Sequence, residues 1–224
     1  MVGTHLRTFF SLPAANVEKI EVIRNSSTLI YGPSGLGGVV NIITKEPEEL
    51  TTTFTVEGGT NHTQFYRGEI GDRILDGKLG FYLSAQKDRT HGRSGNNAFN
   101  DMANFNGRLS FYFDDGSRVT LNLNRDEGHF EGSNSQNYLQ TRRGWCSSVI
   151  FDHWRTTMAN ATIIKKWGEN ISTYINPYYS RRTTDQSWKL GGDKVFVEDS
   201  SWGVNLRQTF KLFDINTLRV GGQY

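Results

Sequence analysis

Cationic and aromatic side chains gather in two long polar loops in the second half of the chain, residues 128–154 and about residues 183–201, and at their borders. Side chains of these types suit an anionic, ring-bearing ligand, because guanidinium groups pair with oxyanions and cations lie over aromatic rings. The candidates are Tyr138, Arg142, Arg143, Trp145, His153, Trp154, Arg181, Arg182 and Trp188. The alternative is that each is an ordinary solvated loop residue.

Catalytic and cofactor chemistry finds no support in the sequence. The five histidines are scattered, and no combination of serine, histidine and acid argues for nucleophilic catalysis. The single cysteine, Cys146, excludes an intrachain disulfide framework and a multi-cysteine metal site. The glycine-rich residues 32–38 lack the Lys-Ser or Lys-Thr of a phosphate-binding loop. We therefore expect no enzyme, no cofactor and no resident metal.

The composition narrows the class of protein. The 25 lysines and arginines nearly balance 23 aspartates and glutamates, so a net charge of +2 gives no indication of a nucleic-acid partner. No apolar run approaches the roughly 20 residues that a transmembrane helix needs. A membrane β-barrel remains open, because its strands turn only every second residue toward lipid.

The first 46 residues differ from the rest. Residues 17–24 alternate apolar and charged side chains, which predicts a half-buried strand, and residues 39–44 form a short β-branched run typical of a buried strand. Between them, residues 25–31 have room for one helical turn and residues 32–38 are turn-rich. Residues 45–49, with Pro47, make the best domain boundary.

About nine segments of alternating polarity follow this boundary. In the clearest one, Phe105, Gly107, Leu109, Phe111 and Phe113 share a face. The connections are short at residues 75–78, 114–117, 167–170 and 213–216, and long at residues 88–100, 128–154 and 183–201, with the short residues 59–62 as an exception on the long side. Short periplasmic turns and long extracellular loops are typical of an outer-membrane barrel. A soluble sandwich also alternates and stays as an alternative.

The first 46 residues also carry a sequence motif. Residues 12–24 read LPAANVEKIEVIR, Tyr31-Gly32 follows, and residues 37–45 read GGVVNIITK. This order and spacing resemble the end of the plug domain in TonB-dependent outer-membrane receptors. The matching positions are Arg24, Tyr31, Gly32, Gly37, Gly38 and Asn41. One departure is Asn25-Ser26, where the family has Gly-Pro, which puts the local turn in doubt.

The resemblance implies an all-β architecture with a small α/β plug remnant. Residues 1–46 would be the C-terminal part of the plug, and residues 47–224 the N-terminal strands of an antiparallel transmembrane β-barrel. About nine of an expected 22 strands would be present, and barrels of that size have a plugged lumen. In the family, an arginine at the place of Arg24 pairs with glutamates of later barrel strands.

The resemblance also implies a function, namely energy-coupled uptake of a scarce solute across the bacterial outer membrane. The expected ligand is a ferric siderophore or another iron chelate. His129 and His153 could also contact it, and the alternative favoured for them is that they are solvated loop histidines. The expected partners are outer-membrane lipid and TonB, the latter through an N-terminal box that this chain lacks.

Two other classes remain open, a passive outer-membrane porin and a soluble all-β binding module. The absence of a signal peptide and of further strands leads us to expect a fragment of a longer receptor. About nine strands would leave an open sheet with two unpaired edges, which lipid cannot satisfy, so we do not expect the chain to form a functional barrel by itself.

Overall fold

The structure is a computed structural model that describes residues 16–23, 39–46, 48–92, 100–131, 149–188, 194–212 and 216–224. These ranges hold no helix that could span a membrane. The elements described are the strands β1 (Val17–Ile23), β2 (Val39–Thr44), β3 (Thr51–Gly59), β4 (Thr63–Ile74), β5 (Leu79–Thr90), β6 (Asn100–Tyr112), β7 (Arg118–Glu131), β8 (Val149–Lys166), β9 (Ile171–Trp188), β10 (Lys194–Leu212) and β11 (Asn216–Gln223).

These strands form two separate antiparallel sheets. β1 and β2 pair with each other, while β3 to β11 form a nine-stranded sheet in which every strand pairs with its neighbours in the sequence. The predicted all-β antiparallel fold with about nine barrel strands is therefore confirmed. The helical turn expected within residues 25–31 lies outside the described residues.

One face of the nine-stranded sheet carries an apolar band that crosses its strands. The strand register aligns Leu79, Phe111, Val119, Ile163, Ile175, Leu206 and Gly222 in one row from β5 to β11. A second row joins Ile70, Leu83, Gly107, Leu123, Ala159 and Tyr179. Many of these side chains are exposed, Leu123 by 43% and Leu206 by 49%, so no second layer formed by the described residues covers them. We call this surface the outer face.

The opposite face, here called the inner face, is polar over the same strands. One of its rows joins Arg67, Gln86, Asn104, Asp126, Thr156, Arg182 and Asp199. Several of these polar residues are buried, Arg67 by 96% and Asp126 by 98%. A buried polar face must find hydrogen-bond partners, and asparagines provide many of them, as in the 2.9 Å bond from Asn122 Nδ2 to Asn160 Oδ1.

The strands are longer than the sequence predicted. β8 and β9 have 18 residues each and β10 has 19, whereas a transmembrane strand needs about 9–11. The predicted loops at residues 128–154 and 183–201 are wrong at their borders. β7 continues to Glu131 and β8 begins at Val149, while β9 continues to Trp188 and β10 begins at Lys194. The alternation of apolar and polar residues fades near these strand ends, because side chains on the outer face beyond the apolar band need not be apolar.

The short turn between β6 and β7 is fixed by a carboxylate. Asp115 Oδ1 accepts a 2.8 Å hydrogen bond from the Ser117 backbone N–H, and Asp115 Oδ2 accepts a 2.7 Å bond from Lys165 Nζ on β8. The hydrogen bond from Lys165, followed by those from Ser117, lowers the pKa of Asp115 to about 2. The turn is thus tied to a neighbouring strand through an exposed ion pair.

This pair predicts a pH-dependent contribution to stability. Because the pKa of Asp115 falls on folding, its stabilisation is present above the unfolded-state value of about 3.9 and is lost as the pH falls toward 2. We expect Asp115→Asn to lower the midpoint of urea unfolding at pH 6, followed by tryptophan fluorescence, and to have little effect at pH 2. The control Lys165→Met should reproduce the loss. An equal effect of Asp115→Asn at both pH values would contradict the assignment.

Candidate functional site

The β1–β2 sheet docks on the inner face of the nine-stranded sheet through one of its ends. Val17 and Thr44 are register partners, so the residue before β1 and the residues after β2 lie together. A 2.9 Å hydrogen bond from the Lys45 backbone N–H to the Asn16 carbonyl closes this end. Its side chains make two attachments to the inner face, which define the candidate site.

The first attachment is a buried polar cluster around Asn16. Arg67 Nη2 donates to Asn16 Oδ1 at 2.8 Å and lies 2.5 Å from Glu69 Oε2. Tyr82 Oη lies 2.6 Å from Glu69 Oε2 and 2.8 Å from Asn16 Oδ1, and its one proton can go to either. Lys45 Nζ lies 3.6 Å from the other Glu69 oxygen. Two cations, Arg67 and Lys45, thus compensate the one buried carboxylate. A charge buried in a low dielectric needs such an opposite charge beside it.

The second attachment joins the end of β2 to β6 and β7. Arg108 Nη1 donates to both the carbonyl and the hydroxyl oxygen of Thr44 at 3.1 Å, and Arg108 Nη2 forms an ion pair with Glu46. Arg118 Nη1 approaches the same Glu46 oxygen at 3.5 Å. One carboxylate therefore faces two arginines, and the charge of Glu18 also acts on Arg108.

A polar cleft of about 600 Å³ lies between the two sheets. Amides, hydroxyls and phenols line it, and they come from Asn16, Thr44, Tyr82, Asn106, Thr120, Asn122, Asn124, Asn160, Thr162, Tyr174, Asn176 and Tyr178. Asn16 Nδ2 and Asn124 Oδ1 are buried and have no protein partner among the described residues, so water or a polar solute can satisfy them. The cleft can hold a hydrated, hydrogen-bonding molecule.

The structure describes only part of the predicted site. Five plug positions, Arg24, Tyr31, Gly32, Gly37 and Gly38, lie outside the described residues, while Asn41 lies on β2 opposite Glu21. Of the ligand candidates, Tyr138, Arg142, Arg143 and Trp145 lie outside the described residues, and Trp188 ends β9. The roles expected for the plug positions and for these ligand candidates stay predictions.

The remaining ligand candidates lie on strands and divide between the two faces. Arg182 lies in the inner-face row of Asp126, and Trp154, two residues before the inner-face Thr156, is buried. Arg181 is the register partner of Thr157 on the outer face, where it pairs with Glu198 at 2.7 Å. His153 is exposed and lies 3.3 Å from Arg155. The sequence grouped these four residues, and the strand pleat separates them.

The sequence analysis missed the attachment residues. Nothing in the local sequence connects Tyr82 with Asn16 or Arg108 with Glu46. The available signal was charge at inward positions, above all Arg67 and Glu69 two residues apart on β4. Among the described residues, no three side chains of histidine, cysteine, aspartate or glutamate are grouped to hold a metal ion.

An apolar outer face, a polar inner face and a small sheet docked on that inner face together define a class of protein. The arrangement is that of the wall of an outer-membrane β-barrel with material inside its lumen. Comparisons with known proteins make the class specific.

No family model matches the chain. The vitamin B12 transporter BtuB of Photobacterium profundum is 37% identical over 70 residues, which are 31% of this chain and 11% of the transporter. The pyoverdine outer membrane receptor FpvA of Pseudomonas aeruginosa has a similar fold, with a TM-score of 0.74 at 15% identity. The siderophore receptor PiuA of Acinetobacter baumannii gives 0.73 at 16% identity. Each structural match covers 93% of this chain and 35% of the receptor.

The chain thus spans about a tenth of the transporter and about a third of the two receptors. The predicted resemblance to TonB-dependent outer-membrane receptors is confirmed, by local sequence in the first case and by fold in the other two. The proteins it resembles are transporters and receptors of the bacterial outer membrane.

The buried cluster predicts how firmly the β1–β2 sheet is held. Glu69→Gln would leave Arg67 and Lys45 without their carboxylate, and breaking a buried pair costs about 3–5 kcal/mol. We expect faster amide hydrogen exchange in β1 and β2, measured by mass spectrometry, with exchange in β8 and β9 unchanged.

Glu127→Gln is the matched control for this prediction. Glu127 also lies between two arginines, Arg125 at 3.3 Å and Arg155 at 3.4 Å, but the groups are exposed. An exposed pair contributes about 0–1 kcal/mol, so exchange in β1 and β2 should not change. Equal effects of the two variants on β1 and β2 would show that the cluster does not hold the β1–β2 sheet.

Proposed function

We propose that this chain is part of a TonB-dependent outer-membrane receptor that takes up a scarce solute, most specifically a ferric siderophore or another iron chelate. Residues 1–46 would contribute the last part of the plug, and residues 47–224 the first strands of the barrel. The observation that carries the proposal is the docking of the β1–β2 sheet on the inner face through buried charges.

The two other classes fit these observations less well. A soluble all-β module buries the apolar side of its sheet, whereas here the apolar outer face is not covered by any of the described residues, with Phe54 exposed by 75%. A passive porin needs an open polar lumen, but here Asn16, Lys45 and Glu46 attach an additional sheet to the inner face. The plugged barrel accounts for both features.

Transport through such a barrel requires the plug to move. The proposed energy source is TonB in the inner membrane, because the outer membrane itself holds none. The interface between the two sheets is suited to movement, since it consists of hydrogen bonds, ion pairs and a polar cleft that water can enter. Polar groups released from each other can be hydrated, which limits the cost of separation.

The ligand is proposed from residue chemistry and from the named relatives. FpvA binds pyoverdine and PiuA is a siderophore receptor, while BtuB transports vitamin B12. An anionic iron chelate suits Arg108 and Arg118, two arginines that line the cleft, and Arg182 and Trp154 would extend the inner surface toward the long connections.

Uptake in a strain without TonB tests the class of transporter. With the complete gene expressed in an iron-limited strain, we expect accumulation of ⁵⁵Fe as ferric siderophore to fall by at least about tenfold when TonB is deleted, because a plugged barrel is closed without energy input. Radiolabelled vitamin B12 serves as the second substrate.

Fractionation of the same cells is the control, and the protein should stay in the outer membrane with and without TonB. Undiminished uptake in the TonB-deficient strain would support the porin, and recovery in the soluble fraction would support the soluble module. Uptake of vitamin B12 in place of ferric siderophore would keep the receptor and reject the iron chelate.

Neighbouring arginines test the ligand-facing surface. We expect Arg182→Gln to weaken binding of the ferric siderophore to cells at least about tenfold, because loss of a charge-assisted bond costs about 1.5–3 kcal/mol. Arg181→Gln is the matched control, because its side chain lies on the outer face with Glu198. Equal affinities of the two variants in ⁵⁵Fe-siderophore binding at 4 °C would remove Arg182 from the site.

A further inference from the structure

We propose that His62 and His91 form a binding site for a divalent transition-metal ion, such as Zn²⁺ or Ni²⁺. His62 is the last residue of the turn between β3 and β4, and His91 directly follows β5. Both therefore lie at the end of the nine-stranded sheet that carries the long connections. The site is separate from the inner face and does not depend on the proposed transport function.

The spacing of the two imidazole rings fits a shared metal ion. The ring centroids are 4.8 Å apart, and the ring planes meet at 67°. A zinc–nitrogen bond of about 2.05 Å, extended to the ring centre and opened to a tetrahedral angle, puts the centroids of two bound imidazoles roughly 5.2 Å apart. The observed centroid separation of 4.8 Å is close to that distance, so the two rings lie near enough for both to reach one ion.

Backbone hydrogen bonds hold the two residues in place. The His91 N–H donates to the Asn61 carbonyl at 3.0 Å, directly beside His62. Within the turn, the Thr63 N–H donates to the Thr60 carbonyl at 3.2 Å, and the hydroxyls of Thr63 and Thr90 lie 3.0 Å apart. Because the two histidines are already held close together, metal binding requires little further loss of conformational freedom.

The position of His62 in the turn is costly for a histidine. Asn61 and His62 have φ angles of 60° and 56°, the left-handed pair of a two-residue hairpin turn, for which Asn-Gly is the favoured sequence. Asp76 and Gly77 hold the equivalent central positions of the next short turn, with φ angles of 54° and 80°, so glycine stands there where this turn has His62. What distinguishes residue 62 is an imidazole where glycine would be most favourable.

The chemistry of the pair defines the class of ligand. Neutral imidazole nitrogen suits zinc, copper and nickel, while magnesium and calcium prefer oxygen. Two protein ligands leave coordination positions that water or an oxygen donor of a solute can fill, as in open zinc sites. Both histidines are exposed, so the ion can enter directly from solution.

The test is isothermal titration of the purified full chain in detergent with ZnCl₂ and NiCl₂ at pH 7.5, after removal of metal with a chelator. We expect one ion per chain at this site and a loss of affinity of at least tenfold in either His62→Ala or His91→Ala. His129→Ala and His153→Ala are the matched controls, since these histidines lie elsewhere on the same end of the sheet, and they should bind as the unchanged chain does.

His62→Gly separates metal binding from folding. Glycine relieves the positive φ at residue 62, so this variant should unfold at a higher urea concentration than the unchanged chain and yet lose the metal. Retained affinity in His62→Gly, no binding by the unchanged chain, or an equal loss in the His129→Ala and His153→Ala controls would each overturn the proposal. None of these outcomes depends on whether the chain supports transport.

Discussion

The register of the nine-stranded sheet is the constraint on which the other features depend. Successive side chains of a strand point to opposite faces, so a slip of one residue would exchange the apolar and polar faces of that strand. The register instead carries single rows of side chains across the sheet, apolar through Leu79 and Leu206 and polar through Arg67 and Arg182. The described shifts within this sheet, between Gly128 and Phe130 and between Phe151 and His153, lie near the long connections, away from most of the apolar rows.

Aligned faces let one sheet meet two opposite environments. The outer face needs an apolar medium, because the described part of the chain leaves its large side chains exposed. The inner face needs hydrogen-bond partners, and the β1–β2 sheet supplies them through Asn16, Thr44, Lys45 and Glu46. The interface between the sheets is therefore polar. Buried ion pairs contribute little net stability when intact and cost much when one partner is lost, so they fix the position of the β1–β2 sheet more than they increase its stability.

The end of the sheet that carries the long connections differs from the apolar band in strand length and in the charge of its outer face. There, strands β8, β9 and β10 continue well past the length that lipid requires, and charged pairs such as Arg181–Glu198 appear on the outer face. Neighbouring residues still point in opposite directions, which separates Arg181 from Arg182. Backbone pairing in the same region brings together residues distant in sequence, as with His62 and His91.

The sequence alone was sufficient for the strand count, the alternation of faces and the resemblance to TonB-dependent receptors, because period-two polarity and a spaced glycine motif are local properties. It was not sufficient for strand ends, since pairing continues where polarity stops alternating. It also did not reveal the cluster of Asn16, Arg67, Glu69 and Tyr82, or that Glu46 joins Arg108. These contacts link residues 51 and 62 positions apart, and they depend on where the β1–β2 sheet docks along the rows of the inner face. Only the tertiary structure decides that position, because many polar residues on this face could have served as partners.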